Sequence, residues 1–165
     1  MLCLFLVPGV AAHAAGAGEQ DFSRGESLLK QKQYAEARAS LEAGIQKEPS
    51  NVQAHVSLAE ACRSLEAWAC AEEHYETALQ LDAKSGSTQP RLRKATVWRS
   101  LEDVTAWRLL NDAKAMMSGG KISPEKMRQA EEALDSANEL GLNNDQLVLY
   151  QQLQMKLPRQ RAVAV

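Results

Sequence analysis

The sequence predicts an all-α fold, an α-solenoid built from antiparallel helix pairs. An internal repeat carries this prediction, because the segment that begins at Tyr34 aligns with the segment that begins at Trp68 without a gap. Within both segments, apolar or small residues recur every three or four positions, which is the stripe of an amphipathic helix. The two segments are 34 residues apart. Helix pairs that repeat at this interval bury their apolar faces by stacking on neighbouring pairs, which gives a solenoid.

Each repeat has a second helical segment upstream of its aromatic residue. These first helices are predicted at roughly 20–32 and 52–65, with short connections at Gln33 and at Glu66-Ala67. Gly25 aligns with Ala59, and Ala37 aligns with Ala71, at the same offset of 34 that relates Tyr34 to Trp68. We expect the small residues to lie where paired helices cross closely, because a larger side chain there would push the helices apart.

The composition is that of one modest soluble domain. The 165 residues are 45% apolar, 24% charged and 5% aromatic, and 19 Lys and Arg nearly balance 21 Asp and Glu. This argues against a multidomain enzyme, a strongly basic nucleic-acid binder and a disordered chain.

Residues 1–17 are predicted to be a signal peptide. No Asp, Glu, Lys or Arg occurs before Glu19, and an apolar run at 2–7 is followed by Pro8-Gly9 and an Ala/Gly-rich stretch. Small-residue cleavage sites end at Ala14 and Ala17, and we favour the second. The run is too short to span a bilayer, which disfavours an uncleaved anchor. The predicted location is periplasmic or secreted, and cytoplasmic if the N-terminus is misassigned.

The repeated residues resemble the tetratricopeptide repeat (TPR) family, and specifically exported bacterial members of it. The second unit matches the family pattern at Leu58, Ala59, Trp68, Ala71, Tyr75, Ala78, Leu79, Leu81 and Asp82. The first unit matches at Gly25, Tyr34, Ala37, Leu41, Ile45 and Pro49. It departs at Asp21, where the family has a large aromatic residue, and at Gly44, where the family prefers Ala. The resemblance implies a right-handed solenoid with two TPR units over 18–85.

The rest of the chain resembles the family less closely. We predict a connecting helical segment over 86–103, a degenerate third unit with an insertion over 104–144, and a capping helix with a tail over 145–165. Ser123 and Pro124 are expected to begin a helix after the inserted loop, and Pro158 to end the capping helix. Residues 88–117 could form one helix or two, because the segment from Ser100 to Asp103 resembles a capping box.

The two cysteines that follow the predicted signal peptide have two interpretations. Cys62 and Cys70 lie about a turn on either side of a predicted bend, so they could form a disulfide across the hairpin or be a buried apolar residue and an incidental surface thiol. His55 and His74 add a metal interpretation, which we reject because His55 and Cys62 are two helical turns apart. No metal and no cofactor are predicted.

The resemblance implies that the first helix of each unit lines a concave groove that receives peptides or helices of partner proteins. Carried over by position, the lining is Phe22, Glu26, Leu29, Lys30, Gln53, Val56, Ser57, Glu60 and Arg63. A third unit would add Arg108, Leu109, Asp112 and Met116.

The predicted function is therefore a non-enzymatic scaffold or adaptor, acting in assembly of the cell envelope or of a secretion apparatus. Its partner is another protein, and we predict neither nucleic-acid binding nor a stable membrane span after signal cleavage. One alternative is a structural TPR protein that associates with itself. The alternative from another class is a ligand or enzyme pocket formed after the repeats by Trp98, Trp107 and the Met116-Met117 pair.

Overall fold

The computed structural model describes residues 18–85, 94–119 and 122–164, and over this part of the chain it contains seven α-helices and no β-strand. The side chains of residues 94, 95 and 158–164 are not described. The predicted signal peptide lies outside the described residues. The helices are α1 (Glu19–Lys30), α2 (Tyr34–Lys47), α3 (Val52–Ser64), α4 (Trp68–Lys84), α5 (Lys94–Met116), α6 (Pro124–Glu139) and α7 (Asn144–Ala164).

Each helix packs mainly on the helices next to it along the chain. The α1/α2, α3/α4 and α5/α6 pairs pack most extensively, and α1 also contacts α3 while α5 contacts α7. This order is that of stacked helical hairpins, so the prediction of an all-α solenoid is confirmed.

The turns inside the first two hairpins have the same geometry. Lys32 and Glu66, which occupy equivalent positions in the two repeats, both have left-handed backbone conformations, with φ of 60° and 56°. The next residue closes each turn, since the amide of Gln33 donates to the carbonyl of Leu28 and that of Ala67 donates to Cys62, at 3.0 and 2.9 Å. The two repeats therefore share the backbone hydrogen bonds of their turns as well as their pattern of side chains.

Helices α3 and α6 begin at capping side chains. The Asn51 side chain accepts a hydrogen bond from the amide of Ala54 at 3.1 Å and begins α3. The Ser123 hydroxyl accepts one from the amide of Lys126 at 3.3 Å, with Pro124 in the first helical position of α6. Both side chains satisfy amides that have no partner within the helix.

The buried apolar residues form two clusters, and α5 contributes to both. The first core joins the two repeat units to the N-terminal half of α5, through Val97, Leu101 and Val104. The second core joins the other half of α5, through Leu110 and Ala113, to α6 and α7. Helix α5 thus holds the two halves of the solenoid together.

Helix α5 is continuous over Lys94–Met116, so the predicted boundary between residues 103 and 104 falls inside one helix. The Ser100–Asp103 pattern does not divide it. Its apolar stripe explains why, because Leu101 and Val104 on either side of that point are both buried in the first core. Burying a continuous stripe favours an unbroken helix over a local cap.

Helix α7 does not end at Pro158, as predicted, but continues to Ala164. Residues 159–164, which were predicted to be a tail, are therefore part of this helix. A proline removes one backbone hydrogen bond from a helix, and the remaining bonds of the ladder continue past it.

Candidate protein-binding groove

Helices α1 and α3 place corresponding side chains on one face. Glu26 on α1 and Glu60 on α3 occupy equivalent positions in the two repeats. Helical spacing puts Lys30 beside the first and Arg63 beside the second, with Gln53 two turns before Glu60 on the same face. Lys30, Gln53, Glu60 and Arg63 are exposed, and Glu26 and Leu29 are half-buried. We call these six residues, Glu26, Leu29, Lys30, Gln53, Glu60 and Arg63, the groove, because the resemblance predicts a groove at these positions.

Three residues predicted to line the groove are buried. Phe22, Val56 and Ser57 are 6%, 8% and 4% exposed, so they offer a partner almost no surface. Phe22 packs into the space beside Gly44 of α2, where a side chain is absent. Val56 belongs to the first core, which the contact between α1 and α3 helps to close. These residues support the groove from below and do not form its surface.

The groove contains two neighbouring carboxylates. The pKa of Glu60 is raised, chiefly because the side chain is partly removed from water and further because Glu26 is negatively charged nearby, while Arg63 opposes the shift. A positively charged group placed between the two carboxylates would favour the ionised form of Glu60.

The groove borders, at Arg63, a cleft that was not predicted from the sequence. This open cleft of about 590 Å³ is lined by Arg63 of α3, by residues of α5 and by the turn before α7. The α5 lining includes Arg99, Ser100 and Asp103. Behind it lies Tyr75, whose pKa is raised by burial while hydrogen bonding from Ser100 and Arg63 acts in the opposite direction.

A hydrogen-bond network fixes the far wall of the cleft. The side chain of Gln146, 1% exposed, donates from Nε2 to the backbone oxygen of Asp103 at 2.9 Å. Asn143 donates to the Asp103 carboxylate at 2.8 Å, so two residues at the start of α7 hold α5. Asn143 and Gln146 also cap one another's backbone amides, at 3.0 and 2.9 Å. That reciprocal cap between positions i and i+3 is the signal in the sequence that could have found this wall.

The residues proposed for a third unit of the groove make other contacts, and Leu109 and Met116 are partly buried against the second core. Arg108 donates to both carboxylate oxygens of Glu72 on α4, and its other guanidinium nitrogen donates to Asp112 at 3.1 Å. Thr105 also donates to Glu72, at 3.0 Å. Arg108 therefore faces α4 and joins the second hairpin to α5, so the prediction that it lines the groove is wrong.

The aromatic and sulfur side chains after the repeats do not line one cavity. Trp107 stacks on Trp68 of α4, with ring centroids 5.4 Å apart and planes 12° from parallel. Met117 is buried in the second core, whereas Trp98 is 52% exposed. Trp98, Trp107 and Met117 therefore lie in different surroundings and do not form the pocket that was predicted as an alternative.

The hairpin of α3 and α4 is joined by a disulfide and a histidine pair. Cys62, which is fully buried, is bonded to Cys70, with their Cα atoms 5.9 Å apart. The Nδ1 atoms of His55 and His74 lie 3.1 Å apart, and Nε2 of His55 lies 3.1 Å from the Pro49 carbonyl oxygen. That carbonyl only accepts, so Nε2 of His55 is the donor of this hydrogen bond.

Neither pair forms part of a larger ligand set. Within 18–85, 94–119 and 122–164, no three or more His, Cys, Asp and Glu side chains are grouped so that they could hold a metal ion. None of the helices described is long and apolar enough to cross a bilayer.

Comparison with known proteins identifies the repeats. A family model described as tetratricopeptide repeat matches residues 22–87, which include nearly all of α1 to α4. A search of curated proteins finds no match to the chain.

Proposed function

Since residues 22–87 belong to the tetratricopeptide repeat family, whose repeats generally mediate protein–protein interaction, we propose that the groove binds a segment of a partner protein. The chain would act as a non-enzymatic adaptor. The observation that carries this proposal is the pair of carboxylates, Glu26 and Glu60, on a surface built otherwise of exposed polar groups and the half-buried Leu29.

The charges of the groove favour a particular kind of segment. A basic side chain between Glu26 and Glu60 would stabilise the ionised form of Glu60, which burial and then the charge of Glu26 disfavour by raising its pKa. An acidic or polar group further along would meet Arg63 and Arg99 at the cleft. An apolar side chain between the two would cover Leu29, as the anchors of amphipathic segments do in other helical grooves.

We place this adaptor outside the cytoplasm, in assembly of the bacterial cell envelope or of a secretion apparatus. The charge-free segment of residues 1–17 supports export, and the Cys62–Cys70 disulfide is of a kind that persists in oxidising compartments. N-terminal sequencing of the protein recovered from the periplasm would test this step. A mature chain that begins at Gly18 is expected, and a cytoplasmic chain that keeps Met1 would contradict it.

To test the groove, the protein is used to capture its partner from envelope extract, and the partner is identified by mass spectrometry. The affinity of groove variants for that partner is then measured. We expect Glu26→Lys with Glu60→Lys to weaken binding about tenfold or more, because the substitutions reverse the charge presented to the basic side chain. Leu29→Asp should also weaken it. Val56→Asp is unsuitable, since a charge at this buried position would destabilise the fold.

Glu76→Lys is the matched control, because Glu76 is an exposed carboxylate on α4 and not in the groove. It should bind like the wild type. Unchanged affinity of the groove variants, with circular dichroism showing an intact fold, would contradict the assignment of the groove.

A further inference from the structure

Helix α7 carries apolar side chains on the face turned away from the rest of the protein. Val148 is 54% exposed, Met155 66% and Leu147 38%. The opposite face is buried in the second core, through Leu153 and Leu157. Isolated exposed apolar residues are ordinary on a protein surface, but Val148 and Met155 are separated by two helical turns and so stand on one line along the helix.

The charged residues beside this line have a definite arrangement. At about 100° per residue, Asp145 and Lys156 fall on the same flank of the line, whereas Leu147 falls on the other flank. Asp145 lies near the N-terminal end of the apolar segment and Lys156 near its C-terminal end, about 16 Å apart at the helical rise of about 1.5 Å per residue. One flank therefore carries a negative charge at one end and a positive charge at the other.

This arrangement is complementary to itself in one orientation. When two identical helices pack antiparallel about a two-fold axis, each flank faces the same flank of the other copy. Asp145 then faces Lys156 of the second copy at both ends, and Val148 lies opposite Met155 on either side of the centre, where Gln151 and Gln152 are exposed. Parallel packing would place the charged flank against the flank of Leu147, so it would satisfy neither charge.

We propose that the outer face of α7 is a dimerisation surface that binds a second copy of this chain, with the two α7 helices antiparallel. The interface is isologous, as two-fold symmetry requires. It does not involve the groove, so a dimer would hold two grooves in a fixed relation.

Three apolar residues on a segment about four helical turns long make a small interface, at the low end of the range for specific complexes. The dimer is therefore expected to be weak and to depend on concentration. Sedimentation velocity of the disulfide-bonded protein, from about 1 μM to about 500 μM, should show the monomer give way to the dimer.

The apolar line is tested with Val148→Asp combined with Met155→Asp. This variant should remain monomeric over the whole concentration range with an unchanged circular dichroism spectrum, because both side chains are exposed in the monomer. Trp98→Asp is the matched control, since it introduces the same charge at an exposed apolar position on α5 and should dimerise like the wild type.

The orientation is tested by exchanging charges. Asp145→Lys alone and Lys156→Asp alone should each dimerise about tenfold more weakly at low salt, because each places like charges opposite at both ends. An equimolar mixture of the two variants should regain the affinity of the wild type, since the heterodimer restores opposite charges at both ends.

Several results would overturn the proposal. A wild type that stays monomeric at the highest concentration, or a dimer that the Val148 and Met155 substitutions leave intact, would exclude this surface. A mixture no tighter than its components would exclude the antiparallel arrangement. If the Val148 and Met155 variant instead loses the partner captured from envelope extract while the wild type is monomeric, the outer face of α7 binds that partner and not a second copy.

Discussion

The ring of Phe22 lies in the space that a Cβ atom on Gly44 would occupy. Phe22 is on α1 and Gly44 on α2, and both are buried at the contact between these helices. The family pattern prefers Ala at the position of Gly44. The ring of Phe22 therefore explains why this position is glycine and not alanine, because the ring occupies the place of the side chain.

The first prediction is that Gly44→Ala destabilises the protein, although alanine favours helices. The gain in helix propensity is about 1 kcal/mol, and the overlap with Phe22 should cost more, leaving the free energy of unfolding about 1–2 kcal/mol lower. Urea denaturation followed by circular dichroism measures this change. Phe22→Leu combined with Gly44→Ala should lose less than the sum of the single changes, because the smaller side chain makes room for the methyl group.

Ala39→Gly provides the control, since Ala39 is exposed on the same helix and reports helix propensity alone. It should cost about 1 kcal/mol. A Gly44→Ala protein more stable than the wild type would mean that the ring of Phe22 moves aside at little cost.

The sequence predicted the repeats because their signals are local and recur. Trp68 and Ala71 have counterparts at Tyr34 and Ala37 in the first repeat, and each position can be recognised without knowing what surrounds it. The burial of Phe22 was not predictable in this way. Helical spacing places Phe22 on the same face as Glu26, and only the missing side chain on another helix draws it inward.

The cleft escaped prediction, and the continuity of α5 was left open, for a related reason. The cleft brings Arg63, Arg99 and Gln146 together from three helices, and no spacing within one segment indicates that. At Ser100 the local pattern favoured a helix start, whereas burial of Leu101 and Val104 against the repeats favours a continuous helix. The tertiary contact outweighs the local signal at this position.

The second prediction concerns the disulfide. Cys62 and Cys70 close a short loop, with a sequence separation of 8, and in the chain-entropy model a loop of this length contributes about 2–3 kcal/mol to stability. Cys62→Ala with Cys70→Ala should lower the free energy of unfolding by about that amount, as should adding a thiol reductant to the wild type. Reductant should leave the double variant unchanged. Equal stability of the wild type with and without reductant would contradict a stabilising bridge.

The third prediction is a loss of stability at mildly acidic pH. The pKa of His74 is lowered in the folded protein, chiefly by burial and then by His55, with Glu73 and Glu42 opposing the shift and Arg38 adding to it. The unfolded chain therefore binds a proton at higher pH than the folded chain does. The stabilising effect is complete above the unfolded pKa of about 6.5 and is lost as pH falls towards the lower folded value.

Urea denaturation between pH 8 and 5 measures this effect. His74→Gln should reduce the dependence on pH over that range, because it removes the titrating group. Glu76→Gln, an exposed change on the same helix, should leave the dependence unchanged. The explanation fails if the His74→Gln protein loses stability with falling pH as steeply as the wild type.

The last prediction concerns the stacked indoles that join the second hairpin to α5. Trp68 and Trp107 are both half-buried, and their rings are nearly parallel at a centroid distance of 5.4 Å. Replacing either with Leu should lower the free energy of unfolding by about 1–3 kcal/mol, through lost burial and lost stacking. The double replacement should cost less than the sum, with a coupling energy of about 1 kcal/mol.

Trp98→Leu is the matched control, since it is the same substitution on α5 at a side chain that is 52% exposed. It should change stability by no more than about 0.5 kcal/mol.

Because α5 belongs to both cores, weakening its contact with α4 should also separate the unfolding of residues 18–85 from that of α6 and α7. Amide hydrogen exchange would show this as earlier exchange in one half. Additive effects of the two replacements, with both halves still exchanging together, would mean that the indole pair does not couple the hairpin to α5.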